Sequence, residues 1–365
     1  MNEPRIGVDA RPLCHPGTGI YRYTMEILKR VCDYGGEWFL YSPQKYNRSA
    51  LLRPNIHHRI AGVPTSLRAS QLGQLIFPIW AKRDRLSIFW SPRHQLPMFL
   101  PARIRGVVTI HDLVWKVYGE TMRFPGKQID GFLMPQSLRR ADVIVAVSEF
   151  TRRELQRYFP EITSPIKVVP GASHLQGKMG RTAPDGGHNE QYFLFVGTME
   201  PRKNLPVLLA AYKEYTQLYA TPFHLKIVGG RGWGGVDANE LVRQLALEAY
   251  VTVVGKVTEQ ELRQLYAKSR ALVMPSLYEG FGLPVVESLS MGVPVITSRD
   301  SAMSEVAGSA GLYVDPQSIQ DVAGALLKMT NDQALYARLR QRTGAEAGRY
   351  DWDTSAREMA DLLLL

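Results

Sequence analysis

Two glutamates eight positions apart are the residues in this sequence best suited to hold a ligand rich in hydroxyl groups. Glu279 and Glu287 lie in the segment LYEGFGLPVVESLSMGVPVI, residues 277–296. Glu279 ends a loop after an apolar run, and Glu287 lies one turn inside a helix whose first turn suits Pro284. Both carboxylates can therefore accept hydrogen bonds from the vicinal hydroxyls of one ribose or hexose. The spacing alone occurs by chance, but the flanking glycines, proline and strand make the pattern specific.

Two adjacent cations form a second candidate group. The segment VGTMEPRKNLPVLL places Arg202 and Lys203 directly before a predicted helix that begins near Leu205, with Gly197 in the turn after a strand. Arginine can pair with two phosphate oxygens at once, and lysine supplies a point charge near the positive end of the helix. Such a pair is unremarkable elsewhere in a chain, but the order of strand, turn and helix favours phosphate binding here.

A histidine follows another predicted strand. His111 comes directly after the apolar run GVVTI, at the edge of the sheet where parallel α/β proteins bind ligands. It could exchange a hydrogen bond with a sugar hydroxyl or polarise a leaving oxygen. The alternative is a structural histidine bonded to a backbone carbonyl, and its position favours the catalytic interpretation.

A glycine-rich turn, RPLCHPGTGI, lies between the first predicted strand and the first predicted helix. Gly17 and Gly19 allow close approach to the backbone, and the amides at the start of the helix suit a diphosphate. Gly-Thr-Gly before a helix is also a common turn, so this signal is weak on its own.

No metal site or cofactor is predicted. Asp351 and Asp353 form a DxD pattern, which can hold a divalent cation, but it precedes a terminal helix and follows no strand. Helix capping is therefore its expected role. The eight histidines show neither HExxH nor another paired spacing of metal ligands.

The elements that must position these residues alternate between short apolar runs and amphipathic helical stretches along all 365 residues. Runs this apolar predict parallel strands covered by helices on both faces. They start at Arg5, Trp38, Ser87, Gly106, Val143 and Lys167, and again at Tyr192, Leu225, Val251, Leu272, Val293 and Leu312. We predict an α/β protein with two doubly wound parallel-sheet domains and a ligand site in the cleft between them.

The domain boundaries follow from composition. Residues 174–190 are polar and rich in glycine, which predicts a linker between a first domain, residues 1–173, and a second, residues 191–349. A helix is expected over residues 350–365, capped by Asp353 or Thr354, and its apolar end must dock on the rest of the chain.

The net charge of +10 is distributed unevenly. Residues 1–170 carry 25 Lys and Arg against 13 Asp and Glu, and the remainder carries 19 against 21. Residues 59–105 interleave basic and apolar side chains, which predicts attraction to an anionic membrane surface or to a phosphate-bearing acceptor. The alternative is a solvated basic face that only aids solubility. Nucleic acid is the least favoured partner, because no nucleic-acid module accompanies the charge.

Composition predicts an ordinary globular protein, with 45% hydrophobic and 21% charged residues. No run of about 18 apolar residues and no apolar leader appears, so we expect neither a membrane span nor a signal peptide. The two cysteines, Cys14 and Cys32, fit a reducing compartment. We expect a cytoplasmic location, with peripheral attachment to the inner face of the cell membrane.

These motifs resemble those of the retaining glycosyltransferases of family 4 (GT4), which have the GT-B fold of two Rossmann-like domains facing across a cleft. The resemblance covers nearly the whole chain. It includes the glycine-rich turn, IHD, VSEFTRREL, GTMEPRKN, the E-x7-E segment and SEVAGSAGLYVDP. It implies that the first domain binds the acceptor, that the second binds a nucleotide sugar, and that the terminal helix returns to the first domain.

The resemblance also implies roles for residues of the E-x7-E segment. Glu279 would contact the donor hexose and Glu287 the ribose. The backbone amides of Phe281, Gly282 and Leu283 would approach the sugar and the diphosphate.

The same resemblance implies that the two cations bind phosphate. Lys203 matches the phosphate-binding lysine of the family. Arg202 is an inferred replacement for the family's arginine, which in many members directly follows the strand-ending glycine, where this chain has Thr198. The implied reaction is metal-independent and follows a front-face path in which the departing diphosphate receives the acceptor's proton.

The expected activity is therefore retaining transfer of a hexose from a nucleotide diphosphate sugar to a saccharide acceptor, lipid-linked, in bacterial polysaccharide or lipopolysaccharide assembly. Mannose from GDP-mannose is the leading donor, and UDP-glucose and UDP-galactose stay open. One alternative is a nucleotide-sugar 2-epimerase of the same fold. Another is a non-catalytic protein that binds sugar nucleotides, against which the intact set of Lys203, Glu279 and Glu287 argues.

Overall fold

A computed structural model describes residues 3–62, 68–175 and 191–364 of the chain. It divides into two compact units. The first comprises Met1–Val117, Phe124–Gly171 and Asp351–Leu365, and the second Tyr118–Arg123 and Ala172–Tyr350. Residues 176–190 of the predicted linker, and residues 63–67 of the basic segment, lie outside the described part of the chain.

The first unit is built on a parallel sheet of seven strands in the order β3-β2-β1-β4-β5-β6-β7. The strands are β1 (Arg5–Asp9), β2 (Glu37–Ser42), β3 (Ile56–Ile60), β4 (Ile88–Ser91), β5 (Arg105–Ile110), β6 (Val143–Ala146) and β7 (Ile166–Val168). The strand order reverses between β1 and β4, and ligands of such sheets bind where the order reverses, beyond the carboxyl ends of the strands.

All six apolar runs predicted in the first half form strands of this sheet. The seventh strand, β3, was not predicted. It lies at the outer edge of the sheet beside β2, and its residues IHHRI are half-buried except for Ile56. A strand exposed in this way does not need an apolar run, so the apolar pattern could not reveal it.

The second unit contains a parallel sheet of six strands in the order β10-β9-β8-β11-β12-β13. The strands are β8 (Tyr192–Val196), β9 (His224–Val228), β10 (Val251–Gly255), β11 (Ser269–Met274), β12 (Val295–Ser298) and β13 (Gly311–Val314). All six predicted runs are present. The order reverses between β8 and β11, so these two strands mark the expected ligand position of this sheet.

Helices connect and cover both sheets. They are α1 (Gly19–Val31), α2 (Arg68–Arg83), α3 (Val114–Val117), α4 (Gly126–Arg140), α5 (Glu149–Tyr158), α6 (Leu205–Leu218), α7 (Ala238–Gln244), α8 (Glu259–Lys268), α9 (Leu283–Ser290), α10 (Ala302–Ala307), α11 (Ile319–Asn331), α12 (Gln333–Ala347) and α13 (Trp352–Leu364). Within the described ranges, none of these helices has the length and apolar composition needed to cross a bilayer.

The terminal helix, α13, belongs to the first unit and packs against α1. Arg30 of α1 forms an ion pair with Asp353 at 2.5 Å, and Ser355 donates a hydrogen bond to the carbonyl of Pro170. The prediction that Asp353 or Thr354 caps this helix was wrong. Asp351 is the cap, because its carboxylate accepts a hydrogen bond from the backbone amide of Thr354. Capping by the DxD pattern is thereby confirmed, with Asp351 as the residue that does it.

Candidate functional site

The two strongest motifs meet at the reversal point of the second sheet. Arg202 and Lys203 form a short 3-10 helix with Pro201, which follows β8 and precedes α6. Glu279 lies in the loop that follows β11 and precedes α9. Because β8 and β11 are neighbours and parallel, both segments leave the sheet at the same edge, which brings together residues that are 76 positions apart.

Glu279 forms ion pairs with both cations. Its Oε1 accepts a hydrogen bond from Lys203 Nζ at 2.5 Å, and its Oε2 lies 2.6 Å from Arg202 Nη1. The second guanidinium nitrogen of Arg202 lies 2.8 Å from a carboxylate oxygen of Glu200, and Nη1 also donates to the carbonyl of Tyr278. Three of the four charged residues of these two motifs, Arg202, Lys203 and Glu279, therefore form one ion-pair cluster.

The cluster is buried and charged. Glu279 and Lys203 each expose only 7% of their surface. Burial acts to raise the pKa of the Glu279 carboxyl, but the charges of Arg202 and Lys203 outweigh it and lower that pKa to about 2. The carboxylate is ionised at neutral pH, and the two cations are held together by a counter-ion that belongs to the protein.

The turn that carries the cations is held by backbone geometry. Asn204 adopts a left-handed conformation with φ of 61°, and its side-chain amide donates to the carbonyls of Pro275 and Pro316. Gly197, predicted as a turn residue, packs against the lysine, because a Cβ there would lie 3.4 Å from Lys203 Cε.

The start of α9 was predicted to offer backbone amides to a ligand. Gly282 immediately precedes the helix with φ of 99°, a conformation that side chains rarely adopt. Phe281 is buried, with its ring edge-to-face against Tyr350 at 5.4 Å, and Leu283 is half-buried as the first helical residue. Phe281 therefore contributes its side chain to the protein interior, which leaves its backbone for the predicted contact.

Glu287 forms a separate cluster on α9. It is 3% exposed, and one carboxylate oxygen accepts a hydrogen bond from the Tyr266 hydroxyl at 3.2 Å. The other oxygen lies 3.2 Å from His174 Nδ1. Sequence reasoning missed both partners: Tyr266 reads as an apolar position of α8, and His174 opens the segment assigned to the linker.

His111 follows β5 in the first unit, as predicted. Its Nε2 lies 2.8 Å from the carbonyl oxygen of Pro92. This is the contact expected of a structural histidine bonded to a backbone carbonyl. Burial and the neighbouring His94 lower the pKa of His111 to about 4, so the ring is neutral at pH 7. Donation from Nε2 leaves Nδ1 as an acceptor, which can take a hydrogen bond from a hydroxyl group.

The glycine-rich turn of the first unit precedes α1. Gly17 has φ of 88° and lies exposed, with open space where a Cβ would stand. Gly19 is the first residue of the helix, and Thr18 caps it by accepting a hydrogen bond from the amide of Tyr21. The positive φ explains why a glycine stands at position 17.

No group of three or more His, Cys, Asp or Glu side chains among the described residues is placed to hold a metal ion. In the DxD pattern, Asp351 accepts a hydrogen bond from the Thr354 amide, and Asp353 forms an ion pair with Arg30.

Comparison with known proteins identifies the family of the chain. The model of the family described as Glycosyl transferases group 1 matches residues 183–346, and that of Glycosyltransferase Family 4 matches residues 17–174. The chain is 30% identical to O-antigen chain mannosyltransferase B of Escherichia coli over 94% of each chain. It is 24% identical to the O-antigen chain mannosyltransferase RfbU of Salmonella typhimurium, over 88% of this chain and 92% of the relative.

Solved structures share the fold. Sucrose-phosphate synthase from Thermosynechococcus elongatus superposes with a TM-score of 0.79 at 18% identity, covering 99% of this chain and 98% of that one. WaaG, a glycosyltransferase involved in lipopolysaccharide biosynthesis, superposes with a TM-score of 0.74 at 15% identity, covering 98% and 99%.

Proposed function

This chain belongs to family 4 of the glycosyltransferases, and from that membership we propose that it transfers mannose from GDP-mannose to a saccharide acceptor with retention of configuration. The acceptor is a lipid-linked saccharide of O-antigen or lipopolysaccharide assembly, and the reaction takes place at the inner face of the cell membrane. Two similar proteins carry the name O-antigen chain mannosyltransferase, which supports both the sugar and the acceptor class.

The observation that carries the proposal is the buried cluster of Glu279, Arg202 and Lys203 at the reversal point of the second sheet. When a sugar leaves a nucleotide diphosphate, negative charge grows on the diphosphate oxygen. Arg202 and Lys203 are held where a diphosphate at this edge would accept hydrogen bonds from both. Glu279, which pairs with the cations in the free protein, is then released to accept hydrogen bonds from the hexose hydroxyls.

The transfer step needs no covalent enzyme intermediate. A bond forms between the acceptor hydroxyl oxygen and the anomeric carbon, while the bond from that carbon to the diphosphate oxygen breaks on the same face. The hydroxyl proton passes to the departing diphosphate. Arg202 and Lys203 stabilise the charge in the transition state, where a preorganised cation contributes most. No metal ion takes part in this path.

Two further groups have proposed roles. Glu287, held by Tyr266 and His174, accepts hydrogen bonds from the ribose hydroxyls of the nucleotide. His111 is neutral at pH 7, and its Nδ1 accepts a hydrogen bond from an acceptor hydroxyl. It orients the acceptor rather than supplying positive charge.

The activity is tested with purified protein, a lipid-linked saccharide acceptor, and GDP-mannose, UDP-glucose or UDP-galactose in separate reactions. We expect transfer from GDP-mannose, an axial linkage at the new anomeric carbon by NMR, and unchanged rates with EDTA. Glu279→Gln is expected to lower kcat at least about 100-fold. Glu248→Gln, an exposed change of the same chemistry in the second unit, is the control.

Two outcomes would reject the proposal. No transfer and no donor hydrolysis from any of the three donors would contradict a transferase activity of this kind. Interconversion of the donor with its C2 epimer in the absence of acceptor, followed by NMR of the sugar nucleotide, would instead establish the epimerase alternative.

Attachment to an anionic membrane is part of the same proposal. α2, inside the basic segment, exposes Leu75 and Ile79 by 57% and 66%, one helical turn apart. Phe99 is exposed by 66%, and the adjacent Met98 amide donates to the Gln74 side chain of α2, so this segment lies beside α2. Exposed apolar side chains beside a basic helix end are suited to the interface of an anionic bilayer.

A further inference from the structure

A group of basic and polar side chains lies at the reversal point of the first sheet, where the proposed reaction has so far used only His111. Arg11 follows β1, and the run Arg93, His94 and Gln95 follows β4. β1, β4 and β5 are adjacent parallel strands, so these segments leave the sheet at one edge. This group, the Arg93 cluster, occupies the position where open parallel sheets bind ligands.

Arg93 is a cation without a close counter-ion. Its side chain is half-buried and forms no ion pair or hydrogen bond with any residue in the described part of the chain. Burial and the charge of Arg11 lower the pKa of Arg93, while Asp9 and Asp130 act in the opposite direction. Asp9 is already engaged, because it accepts hydrogen bonds from Arg11 Nε and Nη2.

The side chains next to Arg93 carry unsatisfied polar atoms. His94 Nε2 and Gln95 Oε1 are buried without a hydrogen-bond partner among the described residues, as is Nη1 of Arg11, which packs against Gly73. Gln95 is held in place, because its Nε2 donates to Asp130 at 2.7 Å. The His94 ring lies 5.7 Å from the ring of His111. Buried polar groups are normally satisfied, so this concentration points to a missing partner.

The chemistry of the missing partner follows from these atoms. The guanidinium of Arg93 and the imidazole of His94 offer donors from two side chains, and Arg11 adds positive charge that acts on Arg93. The tetrahedral oxygens of a phosphoryl group accept hydrogen bonds in several directions. Gln95 Oε1 can accept from a hydroxyl beside that group. We propose that the Arg93 cluster binds a phosphoryl group of the acceptor, an inference whose assignment to the acceptor rests on the proposed function.

Binding is tested with three probes, inorganic phosphate, glucose 6-phosphate and farnesyl diphosphate, with methyl glucoside as the uncharged comparison. The readout is the ring nitrogen resonances of His94, identified by their loss in His94→Asn. We expect the three phosphate probes to shift these resonances and methyl glucoside to leave them unchanged. Tighter binding of farnesyl diphosphate would indicate a lipid-linked source, and tighter binding of glucose 6-phosphate a soluble sugar phosphate.

Variants locate the site. Arg93→Gln is expected to weaken phosphate binding about tenfold or more, because a charge-assisted hydrogen bond is lost. Arg157→Gln removes the same charge from an exposed position of the same unit, outside the basic segment, and should bind phosphate as the wild type does. Arg202→Gln should also leave the His94 response intact, because that residue belongs to the second unit.

The results separate the two proposals. The phosphate site would be overturned if none of the three phosphate probes shifted the His94 resonances of the wild type, or if Arg93→Gln bound phosphate as tightly as the wild type. Either result would hold whether or not the protein transfers mannose. Phosphate binding without any transfer would uphold the site and reject the activity. In an active protein, Arg93→Gln should raise the KM for a phosphate-bearing acceptor and leave the KM for the donor unchanged, and an equal KM for both proteins would refute the acceptor assignment.

Discussion

Replacement of Glu279 by glutamine removes the carboxylate that neutralises Arg202 and Lys203 but keeps the size of the side chain. The pKa of this carboxyl falls from an ordinary 4.5 to about 2, although burial acts against ionisation. A shift of this size corresponds to about 3 kcal/mol of stability at pH 7. Removing one partner of a buried ion pair costs about 3–5 kcal/mol. We therefore expect the free energy of unfolding to fall by about 3 kcal/mol.

The effect has a defined pH dependence. A carboxyl whose pKa is lowered in the folded state stabilises the fold fully above its unfolded pKa and loses that contribution as pH falls through the folded value. The difference between wild type and Glu279→Gln should therefore be constant above about pH 5 and shrink towards pH 2. Urea denaturation measures it, and hydrogen exchange at β8 and β11 assigns the transition to the second unit.

A double-mutant cycle tests the cause. Lys203→Met alone leaves Glu279 paired with Arg202, and Lys203→Met combined with Glu279→Gln leaves Arg202 paired with Glu200. The double variant should be at least about 1 kcal/mol more stable than the sum of the two single effects predicts. Additive effects, a loss below about 1 kcal/mol in Glu279→Gln, or no change with pH would refute the ion-pair account of this cluster. The single variant Glu279→Gln should also bind inorganic diphosphate more tightly than the wild type, because both cations lose their internal counter-ion.

Further predictions concern other groups. Burial and His94 lower the pKa of His111 to about 4, below its ordinary value of 6.5. Protonation of this ring therefore costs the folded protein no stability above about pH 6.5, and stability is lost as pH falls from there towards 4. His111→Gln should remove up to about 3 kcal/mol of that pH-dependent stability, and a urea series in which both proteins lose stability equally would contradict it. Tyr266→Phe removes a hydrogen bond to Glu287 and should raise the KM for the donor about tenfold, with kcat little changed; an unchanged KM would separate Glu287 from donor binding. Leu75→Ser combined with Ile79→Ser should reduce sedimentation with anionic vesicles, and binding that ignores lipid charge and salt would argue against membrane attachment.

The amino-acid sequence was sufficient to locate the strands of both sheets except β3, because a strand covered by helices on both faces must be apolar along its whole length. It also pointed to candidate site residues, because parallel strands present their ligands beyond their carboxyl ends, and polar residues at those positions stand out after an apolar run. Arg202, Lys203 and Glu279, which the structure brings together in one ion-pair cluster, were selected as candidates in this way. The edge strand β3 escaped because half-buried positions place little demand on residue type.

Which residues distant in the sequence contact one another could be seen only in the folded chain. Strand order decides which loops become neighbours, and no local pattern records that β8 lies beside β11 or that β1 lies beside β4. The ion pairs of Glu279, the contacts of Glu287 with Tyr266 and His174, and the arrangement around Arg93 all depend on that order. Burial then decides the charge state, since the same carboxyl or imidazole titrates differently when water is removed and a charge lies within hydrogen-bonding distance.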